Sequence, residues 1–429
     1  MKNQNDQHDS GCSEYQGLSR RRFLKGTGLA GTAGFTAPAW LPKVAFGAGG
    51  GSNDVIIALN NRGAQDGLSF VVPYQDGDYY VNRPNLGIPQ PGQTGGAIDL
   101  DGFFGLNPAA ASLITPYNGG HLAIFHAAGS TDPTRSHFDG ITLMDGGVPG
   151  QEAAEVDSGW LARHLLGVSP TGAGDLRAMA LADTMPTVLQ GVAGAIPAAD
   201  PAGFGFPGRA ATEMARRRAI QMMYARAAEP LASASVSTLA SIDLLQSVDF
   251  AGYVPEGGAV YPNSPLGQQL RSSAIMIKAG IGLEAVAIDA GGWDHHNAQG
   301  PQDGLMAMML SNLAAALEAF YLDLSPGGWM NSTTLVMMSE FGRRVAENVS
   351  LGTDHGHGNV MMVMSGNTTG GIHGVWPGLA PGQLDQGLDL AITTDYRDVV
   401  GEVLQNRGGN TNLADVFPDH TFSFPGVTT

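Results

Sequence analysis

Short apolar runs bounded by Gly, Asp or Asn recur along the chain. The clearest are 54–60 (DVIIALN), 121–127 (HLAIFHA), 282–290 (GLEAVAIDA), 333–339 (TTLVMMS) and 360–365 (VMMVMS). Their apolarity is continuous rather than alternating, as in strands buried on both faces. Between them, apolar positions at helical spacing predict helices over 158–166, 212–227, 231–247, 266–279, 303–322 and 396–406, with a shorter one over 138–144. Strands alternating with helices predict an α/β fold: a mostly parallel, doubly wound sheet flanked by helices. No internal repeat and no heptad run interrupts this pattern, and the Gly/Ala/Pro-rich stretch 193–208 reads as loop.

The first 47 residues stand apart. Ser19, Arg20, Arg21, Arg22, Phe23, Leu24 and Lys25 form a twin-arginine string, followed by a weakly apolar stretch and by Ala45-Phe46-Gly47, a small-x-small cleavage site. The expectation is an export signal over 1–47, a single domain over 48–429, a periplasmic or otherwise exported location, and the twin-arginine translocase as partner during export. The apolar stretch falls short of the ~20 residues that span a bilayer, and no later one reaches that length without a charge or Pro, so no stable membrane span is expected. The G-x-G-x-x-G string at 26–31 follows no strand, which argues against a nucleotide cofactor. The only cysteine, Cys12, precedes the arginines, so disulfide and thiol chemistry are not expected in the processed chain.

Charge narrows the partners. Lys and Arg number 22 against 39 Asp and Glu, a net charge of −17. Nucleic acid and anionic membranes are poor partners for such a surface taken as a whole. Against this background His and Arg pool in loops that follow the expected strands, where open α/β sheets bind ligands. These loops hold Thr131, Arg135, Ser136 and His137; Asp294, His295 and His296; Arg343; and Asp354, His355 and His357. Imidazole and carboxylate suit zinc, manganese and iron. In an extended loop residues i and i+2 point the same way, so Asp294 with His296, and His355 with His357, are candidate ligands. A lone Asp–His pair is most often a hydrogen-bonded turn; several pairs at strand ends point to a metal or anion site. Arg135 and Arg343 fit an anion clamp, since guanidinium forks match phosphate and sulfate. Ser136 and Thr131 are candidate nucleophiles near a helix start, where either can instead be a plain N-cap.

Other chemistries are absent from the sequence: there is no G-x-S-x-G elbow, no H-E-x-x-H and no P-loop. The methionine clusters at 306–309 and 361–364 read as core filler.

At its motifs the chain resembles the bacterial domain-of-unknown-function family 1501. The resemblance rests on Arg62-Gly63 with Asp66-Gly67-Leu68-Ser69, on Arg83-Pro84, on Arg135-Ser136-His137-Phe138 and on Ser158-Gly159-Trp160-Leu161. It continues through Ser339-Glu340-Phe341-Gly342-Arg343, Gly352-Thr353-Asp354-His355-Gly356 and Trp376-Pro377-Gly378-Leu379. That family looks like a branch of the alkaline phosphatase–sulfatase superfamily, so the resemblance implies an alkaline-phosphatase-like fold with one or two divalent metal ions, zinc or manganese. It implies metal ligands at Asp66, at Asp294 with His296, and at Asp354 with His355; Glu340 and His357 are further candidate ligands. It also implies a nucleophile in the loop holding Thr131 and Ser136. The expected function is hydrolysis of an anionic phosphate or sulfate ester, with Ser136, Thr131, Arg135 and His137 as the catalytic set. The alternative is a non-catalytic periplasmic binding or assembly protein that keeps the fold with an incomplete metal site.

Overall fold

Strand β1 (Val55–Asn61) runs between two parallel partners, β8 (Ala285–Ala290) and β9 (Thr333–Met338), with Ile56 opposite both Ala285 and Thr334. The computed structural model describes residues 54–170, 176–228 and 231–429, all within one compact unit, Pro42–Thr429. The export signal expected over 1–47 lies outside the described residues.

Among the described residues nine strands form one sheet. Besides β1, β8 and β9 they are β5 (Leu122–Gly129), β6 (Ala178–Ala180), β7 (Ala195–Pro197), β10 (Asn359–Ser365), β11 (Gly371–His373) and β12 (Thr394–Asp395), in the order β11-β5-β10-β9-β1-β8-β6-β7 with β12 beside β5. Only β10 is antiparallel to its neighbours, β5 and β9. The carboxyl ends of β1, β5, β8 and β9 therefore share one edge, joined there by the amino end of β10. A small antiparallel sheet of β2 (Val71–Val72), β3 (Ile98–Asp99) and β4 (Gly105–Leu106) completes the β structure described.

The unbroken apolarity of the central strands has a direct cause. Ile57, Leu59, Val286, Ile288, Leu335 and Met337 enter one core, while Ile56, Ala58, Ala285, Ala287, Val336 and Met338 enter the other. Alternate residues of a strand face opposite sides, so a sheet covered on both faces requires every position to be apolar. On the first face pack α3 (Pro265–Lys278) and α4 (Leu305–Leu324); on the second pack α2 (Trp160–Gly167) and α5 (Tyr396–Asn406). Helix α1 (His137–Gly146) follows β5.

Two expectations are corrected. The stretch 193–208, read as loop, contributes β7, and the sheet extends to it through β6, three residues long. Both strands are too short for an apolar pattern to register. The helix expected over 303–322 begins and ends two residues later, at Leu305–Leu324, because Gly300 to Gly304 form a close turn before it. The methionines at 306, 361, 362 and 364 are core residues, each at most 2% exposed, whereas Met308, read as core filler with them, is 64% exposed.

Candidate metal centre

Asp294 lies four residues beyond the end of β8 and is the meeting point of the site. Its Oδ1 is 3.0 Å from His296 Nε2, 3.2 Å from His355 Nε2 and 3.5 Å from His137 Nε2. The Nε2 atoms of His296 and His355 are 2.9 Å apart. His137 comes from the first turn of α1 after β5, and His355 from the loop before β10. Groups more than 150 residues apart in sequence thus converge at one rim of the sheet.

Each of the three rings is anchored through its other nitrogen. His137 Nδ1 is 2.8 Å from Glu340 Oε1, His355 Nδ1 is 2.7 Å from the Arg135 carbonyl oxygen, and His296 Nδ1 is 3.2 Å from Asp354 Oδ1. Donation from Nδ1–H to these acceptors leaves the Nε2 lone pairs aimed at the same region as the Asp294 carboxylate. That outer support is what metal-binding histidines characteristically have. Phe341, 3% exposed, stacks on His137 at 5.1 Å between ring centroids and lies 5.1 Å from His355, forming an apolar wall.

The donor set fits a small divalent ion. Four ligands at zinc bond lengths of about 2.0–2.2 Å sit about 3.3 Å from one another in a tetrahedron. Asp294 Oδ1 lies 3.0 to 3.5 Å from the three Nε2 atoms, and those of His296 and His355 are 2.9 Å apart, close to that value. His137 Nε2 is buried, makes no hydrogen bond, and faces Asp294 Oδ1 at 3.5 Å. His137, Asp294 and His355 present ligand atoms all within 4.8 Å of one another, a grouping that could hold a metal ion.

Electrostatics follow from this crowding. Burial acts to raise the Asp294 carboxyl, but His137, His296, His355 and Arg343 together hold it far below the usual carboxylate range. Burial opposes charge on His137, yet the Asp294 and Glu340 carboxylates push it up to about 9. His296 is raised chiefly by its hydrogen bond to Asp294. Glu340 is lowered despite burial, by His137 and Arg62.

The backbone is shaped to let this happen. Gly63 has φ +113°, and a Cβ there would lie 2.7 Å from Asp294 N, so only glycine lets the loop after β1 approach the Asp294 loop. Glu340, 1% exposed, accepts from Gly63 N and Ala64 N as well as from His137.

The sequence candidates separate into those at this rim and those engaged elsewhere. Asp294, His296, His355 and His137 come together, with Glu340 and Asp354 directly behind His137 and His296. Of the adjacent histidines, His296 turns to the cluster. His295 is 5% exposed with an unpartnered Nε2, and burial pushes it down to about 4. Asp66 is engaged elsewhere: it caps the short helix Gly67–Phe70 and forms a two-pronged ion pair with Arg83, at 2.6 and 3.0 Å. His357 does not share the direction of His355. Gly356 packs against the Arg343–Arg344 backbone, and the His357 ring meets Asp385 at 2.7 Å and the carbonyls of Ser130 and Asp132.

Neither arginine of the expected clamp has a free guanidinium. Arg135 pairs with the buried Asp389. Arg343, 2% exposed, donates to the carbonyls of Gly63, Ala64, Trp293 and Thr353 and to Asp294, stitching together the loops after β1 and β8 and the loop before β10. Ser136 is the N-cap of α1, but its side chain makes no capping bond. Thr131 is exposed, five residues upstream. Sequence reasoning missed the backbone-holding work of Arg343 and Glu340; their only signal was the E-F-G-R string after β9.

Comparison with known proteins adds the following. The model of a family described as Protein of unknown function (DUF1501) matches residues 125–416. No curated protein matches the chain. Among solved structures, it is similar to a protein in the alkaline phosphatase superfamily from Vibrio parahaemolyticus, at 10% identity and TM-score 0.34, covering 77% of this chain and 65% of that one. It is similar to a sulfatase from Pseudoalteromonas sp., at 11% identity and TM-score 0.33, covering 75% and 64%. It is also similar to the phosphonate monoester hydrolase of Agrobacterium radiobacter, at 11% identity and TM-score 0.32, covering 86% and 78%.

Proposed function

The chain belongs to this DUF1501 family, and we propose that it is a metal-dependent hydrolase of phosphate or sulfate esters, exported by the twin-arginine route to the periplasm. One observation carries the reading: three imidazole Nε2 atoms face a single carboxylate while every Nδ1 is anchored behind. Such an arrangement gathers imidazole and carboxylate donors in one place, apt for a cation. His137, His296, His355 and Asp294 would hold a zinc or manganese ion, which would supply Lewis acidity toward an ester oxygen.

The chain's own residues do the rest. Glu340, the Arg135 carbonyl and Asp354 fix the three rings, so the site needs little reorganisation when an ion enters. Ser136, next to His137 at the start of a ten-residue helix and free of a capping bond, is the first candidate for the attacking hydroxyl. Thr131 is the second.

The non-catalytic reading keeps one specific support. Arg135 and Arg343 both spend their guanidinium groups on protein partners, so the anion of an ester must draw Arg135 away from Asp389 or be held another way.

The test is metal content followed by activity. Protein equilibrated with zinc or manganese and freed of excess is expected to keep about one ion per chain. Asp294→Asn and His355→Ala lose it, and hydrolysis of a panel of phosphate and sulfate monoesters follows the ion. A chain that binds no ion, and whose thermal unfolding is unmoved by added zinc or manganese, overturns the metal reading. Bound metal with no turnover of any ester favours the binding protein.

A further inference from the structure

Among the described residues, this acidic chain carries a concentrated basic segment. Residues 209–226 hold Arg209, Arg216, Arg217, Arg218 and Arg226 against a single acid, Glu213. The helix within this segment, Glu213–Tyr224, buries none of its residues. Its inward side is tied down. Arg217 pairs with Glu213 at 2.8 Å and with Asp243, on the helix Leu231–Ser247, at 2.7 Å. Arg216 and Arg217 lie 5.2 and 5.5 Å over the Phe206 ring.

The outward side is different. Met214, Arg218 and Met222 recur every four residues and so form one stripe along the helix, and Arg226 continues the interval just past its end. Met214, Met222 and the neighbouring Met223 are 87%, 63% and 67% exposed. Arg218 and Arg226 are exposed as well, with Ala215, Ala219 and Ala225 between them. Among the described residues, no acid falls on the stripe 214, 218, 222 and 226.

Flexible apolar side chains interleaved with cations call for a partner offering negative charge and apolar depth at the same surface. The net charge of −17 disfavours anions over most of the molecule, so such contact is favoured where arginines pool, as on this face. A phospholipid surface supplies phosphates at the level of the guanidinium groups and acyl chains beneath them. Being deformable, it needs no groove matched to protruding methionines, and arginine stems can lie along its apolar layer with their heads at the phosphates. We propose that the helix Glu213–Tyr224 is a peripheral docking face for an anionic phospholipid surface, with Met214 and Met222 entering the apolar layer and Arg218 and Arg226 meeting the phosphates. Whole-chain charge alone argued against anionic membranes; the pooling of arginine on one helix reverses that locally.

A local probe tests this in the full chain. Met222→Cys in a Cys12→Ser background is labelled with nitrobenzoxadiazole and mixed with phosphatidylcholine vesicles containing about 30 mol% phosphatidylglycerol, enough to give a negative surface potential. The expected result is a blue-shifted, brighter emission, absent with pure phosphatidylcholine and absent for a label at the 82% exposed Val260. Arg218→Glu with Arg226→Glu should weaken partitioning tenfold or more, since each basic residue near such a surface contributes on the order of 1 kcal/mol. No shift at position 222, or a shift that survives the double reversal, overturns the proposal. A shift that appears without lipid as protein concentration rises makes the stripe a protein–protein interface, and the lipid assignment falls.

Discussion

Glu340 Oε1 lies 2.8 Å from His137 Nδ1 and 2.8 Å from Gly63 N, so one carboxylate oxygen sets both the ring of a candidate ligand and the loop after β1 that passes Asp294. Glu340→Gln keeps the shape but removes the charge that holds His137 in place. Metal affinity is expected to fall 10- to 100-fold, the usual cost of losing an outer-shell partner. Titration with zinc in competition with a chromophoric chelator measures it; unchanged affinity would detach Glu340 from the metal centre.

Asp66 offers a separate test, because its carboxylate is engaged by Arg83, Ser69 and Gln299 and not by the histidine cluster. Burial acts to raise it, and Arg83 with these hydrogen bonds holds it below the usual range. Asp66→Asn leaves a buried guanidinium short of its counter-charge and is expected to cost about 3–5 kcal/mol of stability. Bound metal per folded chain should stay as it was. Loss of metal from chain that remains folded would return Asp66 to the ligand set.

The two candidate hydroxyls should part company. For the proposed ester hydrolysis, Ser136→Ala is expected to lower kcat by at least ~100-fold with metal content intact, whereas Thr131→Ala changes it by less than ~3-fold, the size of effect general to losing a nucleophile versus a surface group. Equal effects would remove Ser136 from the role.

Acid should destabilise the fold through two histidines remote from the cluster. Burial pushes His126 down to about 4; its Nε2 faces the Val71 carbonyl and its Nδ1 accepts from Ala127 N, so the ring is held neutral. Burial, helped by Arg177, likewise pushes His164 down to about 4. Both folded values lie below the unfolded value of about 6.5, so their contribution is complete above that pH and is lost as pH falls toward 4. Each accounts for on the order of 3 kcal/mol across that window. Urea unfolding at pH 7 and pH 4.5 checks the sum, and His164→Leu should reduce the slope of stability against pH by about one proton. A slope untouched by that substitution would contradict the neutral burial of His164.

Fold class was legible because the physics that sets it is local and repeated. Continuous apolar runs at 54–60, 121–127 and 333–339 are what strands covered on both faces show, and helices between strands favour the parallel crossover. The short strands β6 and β7 escaped notice because three residues carry no period. At the candidate site, strand-end position marked the loops that matter but not the direction of any side chain. Spacing put His355 and His357 side by side, yet the packing of Gly356 and the pull of Asp385 part them.

The residue order by itself determined the layered α/β architecture, the pooling of imidazole and carboxylate in the loops beyond the strands, and the acidic balance of the chain. Only the tertiary structure decided which of those groups share a space: Asp294 with His137, His296 and His355 at the rim, Asp66 with Arg83 beneath it, and Arg343 bound to carbonyls rather than open to an anion. Periodicity is written within about ten residues, whereas a binding site is made by atoms within a few ångströms of one another that lie up to 218 residues apart, between His137 and His355, along the chain.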